Sequence, residues 1–404
     1  MSLSVQTDAS EFRLSMLIND TRYRSYTFQF LALIFLICIM AFLGWNLLQN
    51  LAAAGLDISY GFLGEPAGYD INQRLIEYDS QSTHLRASIV GVLNTLLVAV
   101  LGCITATVFG VLAGVLRLSN NWLVAKTMAV YVEVFRNIPV LIWILIINAI
   151  FLSVLPQPRA FRGENSEASM LFDSFAFTGR GIYMPKPVLY DGGWIVIVAF
   201  ILSLIAVLFY RRYARKTLFD HGVILPVLWP SLAILFVPTL AMFFLLGNPI
   251  GLEYPALKGF NFKGGIWARG SLLSLWFALS IYTGAFIAEN VRAGIQAVSK
   301  GQSEAAASLG LRPGRIMNLV ILPQALRVII PPLISNYLNL TKNSSLAIAV
   351  GYMDVTGTLG GITLNQTGRA IETVLLLMAF YLIISLGISA IMNVYNHSIK
   401  LKGR

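Results

Sequence analysis

Charge is what this chain lacks. Only 12% of its 404 residues are Asp, Glu, Lys or Arg, about half the fraction of an ordinary soluble domain. With 57% hydrophobic residues, a soluble globular protein is excluded. Histidine is scarce as well: His84, His221 and His397 are scattered without ligand spacing, which leaves no candidate metal site. The two cysteines, Cys38 and Cys103, fall inside apolar runs and read as small buried hydrophobes rather than a disulfide or a metal pair. There is no GxxxxGK[ST] phosphate loop and no nucleophile–base constellation, so no catalytic residue is expected. No cleavable signal peptide is evident, because the first apolar run begins near Phe28 and is long enough to remain as a span.

What the chain has instead is apolar runs that approach the ~20 residues needed to cross a bilayer. Eight spans are expected: Phe28–Leu48, Ile89–Leu116, Leu123–Leu155, Trp194–Tyr210, Val223–Leu246, Ser271–Ala293, Val328–Val350 and Val374–Val394. The third is too long for one straight crossing. Pro139 should break it by removing a backbone donor and crowding the preceding turn, and Pro331-Pro332 should distort the start of the seventh. The fold class expected is an all-α polytopic membrane protein.

The net charge of +10 sits in short loops between spans. That is the signature of cytoplasmic loops, not of a nucleic-acid-binding surface. With the N-terminus inside, the inner segments carry Arg13, Arg22 and Arg24; Arg117 and Lys126; Arg211, Arg212, Arg215 and Lys216; Arg292, Lys300, Arg312, Arg315 and Arg327; and Lys400, Lys402 and Arg404. These make 17 of the 29 Lys and Arg, concentrated in the shorter segments. Both termini and the loop around Glu304 are then cytoplasmic. The acidic loop from about Gln49 to Arg86 is outside, where it is a solvated connector, a cover on the outer face, or a contact for an outer partner.

The loop QSEAAASLGLRPGRIMNLVILPQ, between the sixth and seventh spans, looks like a docking element. Ser303 is suited to cap a short helix starting at Glu304, whose charge suits the positive helix end. Ala305 and Ala306 favour that helix and leave a thin surface that fits a groove. Gly310 supplies the turn, and Pro313 opens a second helix. Arg312 and Arg315 are placed to meet acidic groups or lipid phosphates. The residues alone also fit an amphipathic connector lying on the membrane surface.

The spacing decides between these by resemblance. Glu304-Ala305-Ala306, three residues, Gly310, nine residues, then Val320-Ile321-Leu322-Pro323 resembles the cytoplasmic loop of permease subunits in bacterial ABC importers, with Val320 where Ile is usual. Asn94-Thr95-Leu96 at the opening of the first core helix, Arg136-Asn137-Ile138-Pro139, Gly284 to Glu289, and Thr341-Lys342-Asn343-Ser344-Ser345-Leu346 are similar to stretches of the polar amino-acid branch, over about residues 88–155 and 270–397. The resemblance implies a MetI-like five-helix core in the bacterial inner membrane, importing L-amino acids by alternating access. It further implies a second, related permease subunit, an ABC ATPase dimer that holds the ATP and magnesium, and a periplasmic amino-acid-binding protein. No cofactor is expected in this chain. The organisation is then 1–87, a tail, extra span and outer loop; 88–155, the first part of the core; 156–269, an insertion with two added spans; and 270–404, the rest of the core. Two added crossings return the chain to the same side, so the loop stays inside. This outline is similar to the Q-type subunit of general L-amino-acid transporters, or its glutamate/glutamine/aspartate/asparagine relative.

Ionisable groups within spans are functional candidates by default. Glu133 and Arg136 stand three apart and can pair on one helical face, either to support the Pro139 break or to gate a pathway. Lys342, with Asn343, Ser344 and Ser345, either faces a translocation pathway and meets a substrate carboxylate or hydrogen-bonds between helices. Glu289 and Arg292 read as a salt bridge supporting the docking loop. Gly110 and Gly114 form a small-xxx-small pattern for close helix packing. A gradient-driven transporter would need deep carboxylates in repeated halves, and only Glu133 qualifies.

Overall fold

The computed structural model describes residues 18, 20–55, 57–163 and 166–399. Arg13, Lys400, Lys402 and Arg404 of the inner charge set lie outside the described residues. Among the described residues eight helical stretches are long and apolar enough to cross a membrane. Helix α1 (Thr21–Ala53) belongs to a separate compact unit that ends at Gly61. Its side chains are largely exposed, Cys38 included. Cys38 is therefore not the buried hydrophobe expected, whereas Cys103 is partly buried.

The second unit, from Phe62 onward, carries the core. Helix α2 (His84–Leu116) starts earlier than Ile89, because Thr83 caps it by accepting from the Arg86 backbone N–H. Asn94 and Thr95 thus lie within α2 instead of opening it. Pro139 splits the third expected span into α3 (Trp122–Asn137) and α4 (Val140–Val154). The crossing stretch begins at Val140, and α3 packs beside it against α7 (Gly270–Gln296).

In the insertion, α5 (Gly193–His221) runs past Tyr210 and packs on α6 (Leu228–Leu245). Helix α6 starts later than expected because Pro226 has no N–H to donate and disfavours a helical residue before it. The Tyr210 hydroxyl donates to the Pro226 carbonyl at 2.7 Å across this turn. A nine-residue helix α8 (Lys300–Ser308) precedes α9 (Leu322–Asn343), which continues as a 3-10 helix over Ser344–Val350. Pro331 and Pro332 lie inside α9 rather than at its start. Helix α10 (Ala370–Ile399) closes the fold.

The centre is α7 packed on α2. Gly110 and Gly114 let the backbones approach: a Cβ at Gly110 would meet Ile287 Cβ at 2.5 Å, and one at Gly114 would meet the Ala288 carbonyl at 2.6 Å. Val98, Ala106, Leu275, Leu279, Ile287 and Leu340 fill the core around them.

One end of this unit gathers its segments that the charge asymmetry puts outside, and we call it the outer end. There Tyr69 and His84 reach Thr363, and the Asn94 amide donates to the Gln73 and Met353 carbonyls at 2.7 and 2.8 Å. Ala67, Ile71 and Tyr78 pack with Ala87 and Val90, so residues 62–83 cover the core and are not a solvated connector. Seven short strands also stand here: β1 (Ala176–Thr178), β2 (Gly181–Met184), β3 (Lys186–Leu189), β4 (Ile250–Glu253), β5 (Ala256–Lys258), β6 (Asn261–Lys263) and β7 (Ile266–Arg269). They form antiparallel sheets β1-β2-β7, β3-β4 and β5-β6. Both ends of the insertion meet at its base, where the Gly179 N–H donates to the Pro156 carbonyl and the Gly270 N–H to the Arg180 carbonyl, each at 3.0 Å.

Candidate coupling loop and translocation residues

At the opposite end the chain turns through α8, Gly310, a single helical turn at Pro313–Ile316 and a π turn at Met317–Ile321 before α9. The expected capping role of Ser303 is not found. Ser299 takes the extended N-cap conformation and Lys300 opens the helix, which leaves Ser303 inside the first turns. Gly310 has φ +77°, in the left-handed region that side chains strain to adopt. Pro313 occupies the first helical turn as expected, and Leu322-Pro323 opens α9.

The buried residue of α8 is Ala306, and that of the Pro313 turn is Ile316. The two elements pack on each other. Glu304, Ala305, Ala307 and Arg312 are exposed, and Leu309 at the tip is 81% exposed. The loop thus presents an acid, two alanines and a leucine outward on a self-supported hairpin. An exposed leucine at a loop tip is characteristic of a contact surface when it stands beside other apolar groups.

An ion network ties this end together. Arg117, at the end of α2, donates to Glu289 on α7 and lies 3.6 Å from Glu133 on α3. Arg292 reaches both Glu289 oxygens, at 2.5 and 3.1 Å, and its other arm donates to Gln296 at 2.5 Å. The Glu289–Arg292 bridge is present as read from sequence. The pairing of Glu133 with Arg136 is corrected: Glu133 turns to Arg117, while Arg136 stands over the Phe286 ring at 5.3 Å. The Glu133 side chain is 59% exposed. At the same end, Gly294 of α7 abuts α9, where an added Cβ would meet Ile329 at 2.4 Å. The two helices that flank the loop are therefore locked where it leaves and returns.

The Lys342 cluster is divided. Ser344 is buried and donates to the Thr341 carbonyl at 2.8 Å, and Ser345 donates to the Lys342 carbonyl. Both hydroxyls therefore satisfy their own helix. Lys342 is exposed, and among the described residues its amino group has no hydrogen-bond or ion-pair partner. Asn343 is half-buried. A lysine without a counter-ion on a crossing stretch is costly in lipid unless it faces water or another chain.

Sequence reasoning missed two buried acids, Asp354 and Glu372, the second paired with Arg369 at 3.3 Å. Asp354 is fully buried at the outer end, where its carboxylate accepts from the Gly357 N–H at 2.8 Å and from the Tyr381 hydroxyl at 3.3 Å. Burial pushes its carboxyl up to about 6, against these hydrogen bonds. The acid followed by a threonine- and glycine-rich stretch was the available signal.

Residues 216–400 match the family described as the binding-protein-dependent transport system inner membrane component. Over 428 aligned residues the chain is 53% identical to the glutamate/glutamine/aspartate/asparagine transport system permease protein BztB of Rhodobacter capsulatus, covering 100% of both. The chain belongs to the amino-acid ABC transporter permeases. This permease is also 45% identical to the general L-amino acid transport system permease protein AapQ of Rhizobium johnstonii, over 95% of this chain and 94% of that one. It is 44% identical to the putative amino-acid ABC transporter permease YhdX of Escherichia coli, over 94% of this chain and 95% of that one. A solved amino acid ABC transporter, crystallised with histidines, is 20% identical, with a TM-score of 0.45 over 78% of the permease and 95% of that chain. A shorter match, the glutamate/aspartate import permease GltJ of Escherichia coli, is 33% identical over 35% of this chain and 60% of that one.

Proposed function

We propose that this permease is the membrane-embedded subunit of an ATP-driven importer that carries L-amino acids from periplasm to cytoplasm. The single observation that carries the reading is the end-to-end match to a permease of glutamate, glutamine, aspartate and asparagine transport. The substrates are accordingly acidic and amide amino acids or a broader L-amino-acid range. A periplasmic binding protein delivers them. A second, related permease subunit completes the pathway, and an ABC ATPase dimer supplies the work and holds the ATP and magnesium. The complex lies in the bacterial inner membrane, with both termini of this chain cytoplasmic.

In this reading the exposed face of α8, from Glu304 to Leu309, seats in a groove of the ATPase. Closure of the ATPase dimer pulls the hairpin. The pull passes to α7 and α9, which are joined at Gly294 and Ile329, and through Glu289 and Arg117 to α2. The helices then rock between outward and inward openings. Lys342 and Asn343 face the shared pathway, where the ammonium meets a substrate carboxylate, and Ser344 and Ser345 shape the turn beneath it. Glu133 and Arg136 stand near the inner mouth. The test is co-purification followed by reconstitution: the complex, with its binding protein and ATP, takes up labelled glutamate, glutamine, aspartate and asparagine. Uptake driven by an ion gradient in liposomes holding this chain without an ATPase would overturn the proposal.

A further inference from the structure

The sheet β1-β2-β7 sets two arginines over the outer mouth of the core. Arg269 ends β7 immediately before α7, and Arg180 sits in the turn that leads into β2. Their positions are closely fixed. Gly181 pairs with Arg269 across the sheet. Gly181 has φ +134°, and a Cβ there would meet the Ala268 carbonyl at 2.2 Å, so no other residue lets the strands close this far. The Arg180 carbonyl accepts from the Gly270 N–H at 3.0 Å and from the Trp267 indole at 3.2 Å. The Arg269 guanidinium lies 4.2 Å from the centre of the Trp267 ring.

Arg180 and Arg269 both line a cavity of about 340 Å³, with Asn148, Ser271 and Gly351 on its other walls, and the Arg180 guanidinium reaches the Phe260 carbonyl at 3.5 Å. That volume falls within the ~300–1,000 Å³ typical of small-ligand sites. Asn148 Oδ1 accepts from Ser274 at 3.1 Å, which leaves the amide NH2 as a donor. The Arg269 Nε is buried without a hydrogen-bond partner among the described residues. Neither Arg180 nor Arg269 has an ion-pair partner among them. Burial works against the Arg269 charge, so the site is short of an anion. A planar fork of donors beside an amide suits a carboxylate, which accepts two parallel hydrogen bonds. Arg180 also borders a second cavity of about 670 Å³ on the insertion, lined by Arg159, Arg162 and Phe260, and Glu167 is the carboxylate near that outer space. Cationic walls thus lead inward from the insertion to Arg269, an arrangement that concentrates anions.

We infer that Arg180, Arg269 and Asn148 form an outer carboxylate-binding subsite, through which the insertion receives an amino acid on its way into the core. It rests on the amino-acid importer reading. The subsite lies at the outer end of the 3-10 helix Ser344–Val350, about 12 Å along that helix from the Lys342 cluster. The carboxylate passes from one cationic station to the next.

The test uses the complete transporter in proteoliposomes with saturating binding protein and ATP. Arg180→Gln and Arg269→Gln are each expected to lower the initial uptake rate of glutamate about tenfold, and Arg180→Lys and Arg269→Lys, which keep the charge but not the planar fork, to restore only part of it. Arg180 is exposed, so its variant folds even where Arg269→Gln disturbs the sheet. Equal losses for glutamate and glutamine identify the α-carboxylate as the group held, and a loss confined to glutamate identifies the side-chain carboxylate. Unchanged uptake of both by both Gln variants sinks the subsite alone. A wild-type complex that imports no amino acid sinks the importer reading and the subsite with it.

Discussion

Arg117 and Glu289, 172 positions apart in sequence, join α2 to α7 directly above the coupling loop. Their side chains are 16% and 23% exposed, so the pair is shielded enough to matter more than a surface bridge. Replacing Arg117 with Ala strands Glu289 beside one remaining cation. We expect a stability loss of about 1.5–3 kcal/mol, typical of a hydrogen bond to a charged group, read as a lower melting temperature of the purified complex. Arg117→Lys should lose less. A melting curve for Arg117→Ala that overlays wild type would show that the link carries no load.

Gly114 and Gly310 are both conspicuous glycines, and they should fail in opposite ways. A Cβ at Gly114 would press on the Ala288 backbone, whereas one at Gly310 would meet nothing within 4 Å. Gly114→Leu should therefore cost about 1–3 kcal/mol or more through overpacking, seen as poor yield and early melting. Gly310→Ala and Gly310→Asp meet only the left-handed backbone, a local penalty of about 1–2 kcal/mol. They should insert normally and melt only slightly earlier, yet hydrolyse ATP with reduced import. Full uptake by Gly310→Asp would remove the loop from the coupling mechanism.

Asp354 gives a pH dependence whose sign is fixed. Its carboxyl is raised from 3.8 to about 6 in the folded chain, so the folded state holds the proton more tightly than the unfolded one. Stability therefore declines as pH rises from about 4 through about 6, then levels. Asp354→Asn keeps an acceptor for the Gly357 N–H and removes the ionisation. Its melting temperature should exceed that of wild type at about pH 7.5 and converge with it at about pH 4. A gap that is constant across this range would exclude Asp354 as the titrating group.

Sidedness can be read by labelling. In a Cys38→Ala, Cys103→Ala background, a thiol introduced at Ala307 should react with an impermeant maleimide only from the cytoplasmic side. One introduced at Lys258, exposed at the end of β5, should react only from the periplasm. Labelling of Ala307 in intact spheroplasts would invert the whole assignment.

Much of this was legible in the sequence because it is local. Hydropathy runs mark the crossings, Pro139 marks the break, and Gly110 and Gly114 mark the close approach of α2 to α7. Where reasoning by spacing failed, the true partner was distant. Glu133 has Arg136 three residues away, yet it turns to Arg117 on another helix. The helix starts one turn before Ser303, with Ser299 at the N-cap position and no side-chain cap bond, because a short, exposed, Ala-rich helix has little hydrophobic period to fix its first residue. The strands of the insertion span only three or four residues each. Their pairing of Tyr183 with Trp267 depends on chain that departs through two further crossings before it returns.

The tethering of Gly179 to Pro156 and of Gly270 to Arg180 gives the insertion a single narrow stem. A module rooted at one point, with an even number of passes, can be enlarged, trimmed or exchanged without inverting anything downstream. A change in its length would therefore leave the packing of α7 on α2 and the hairpin at the opposite end where they are.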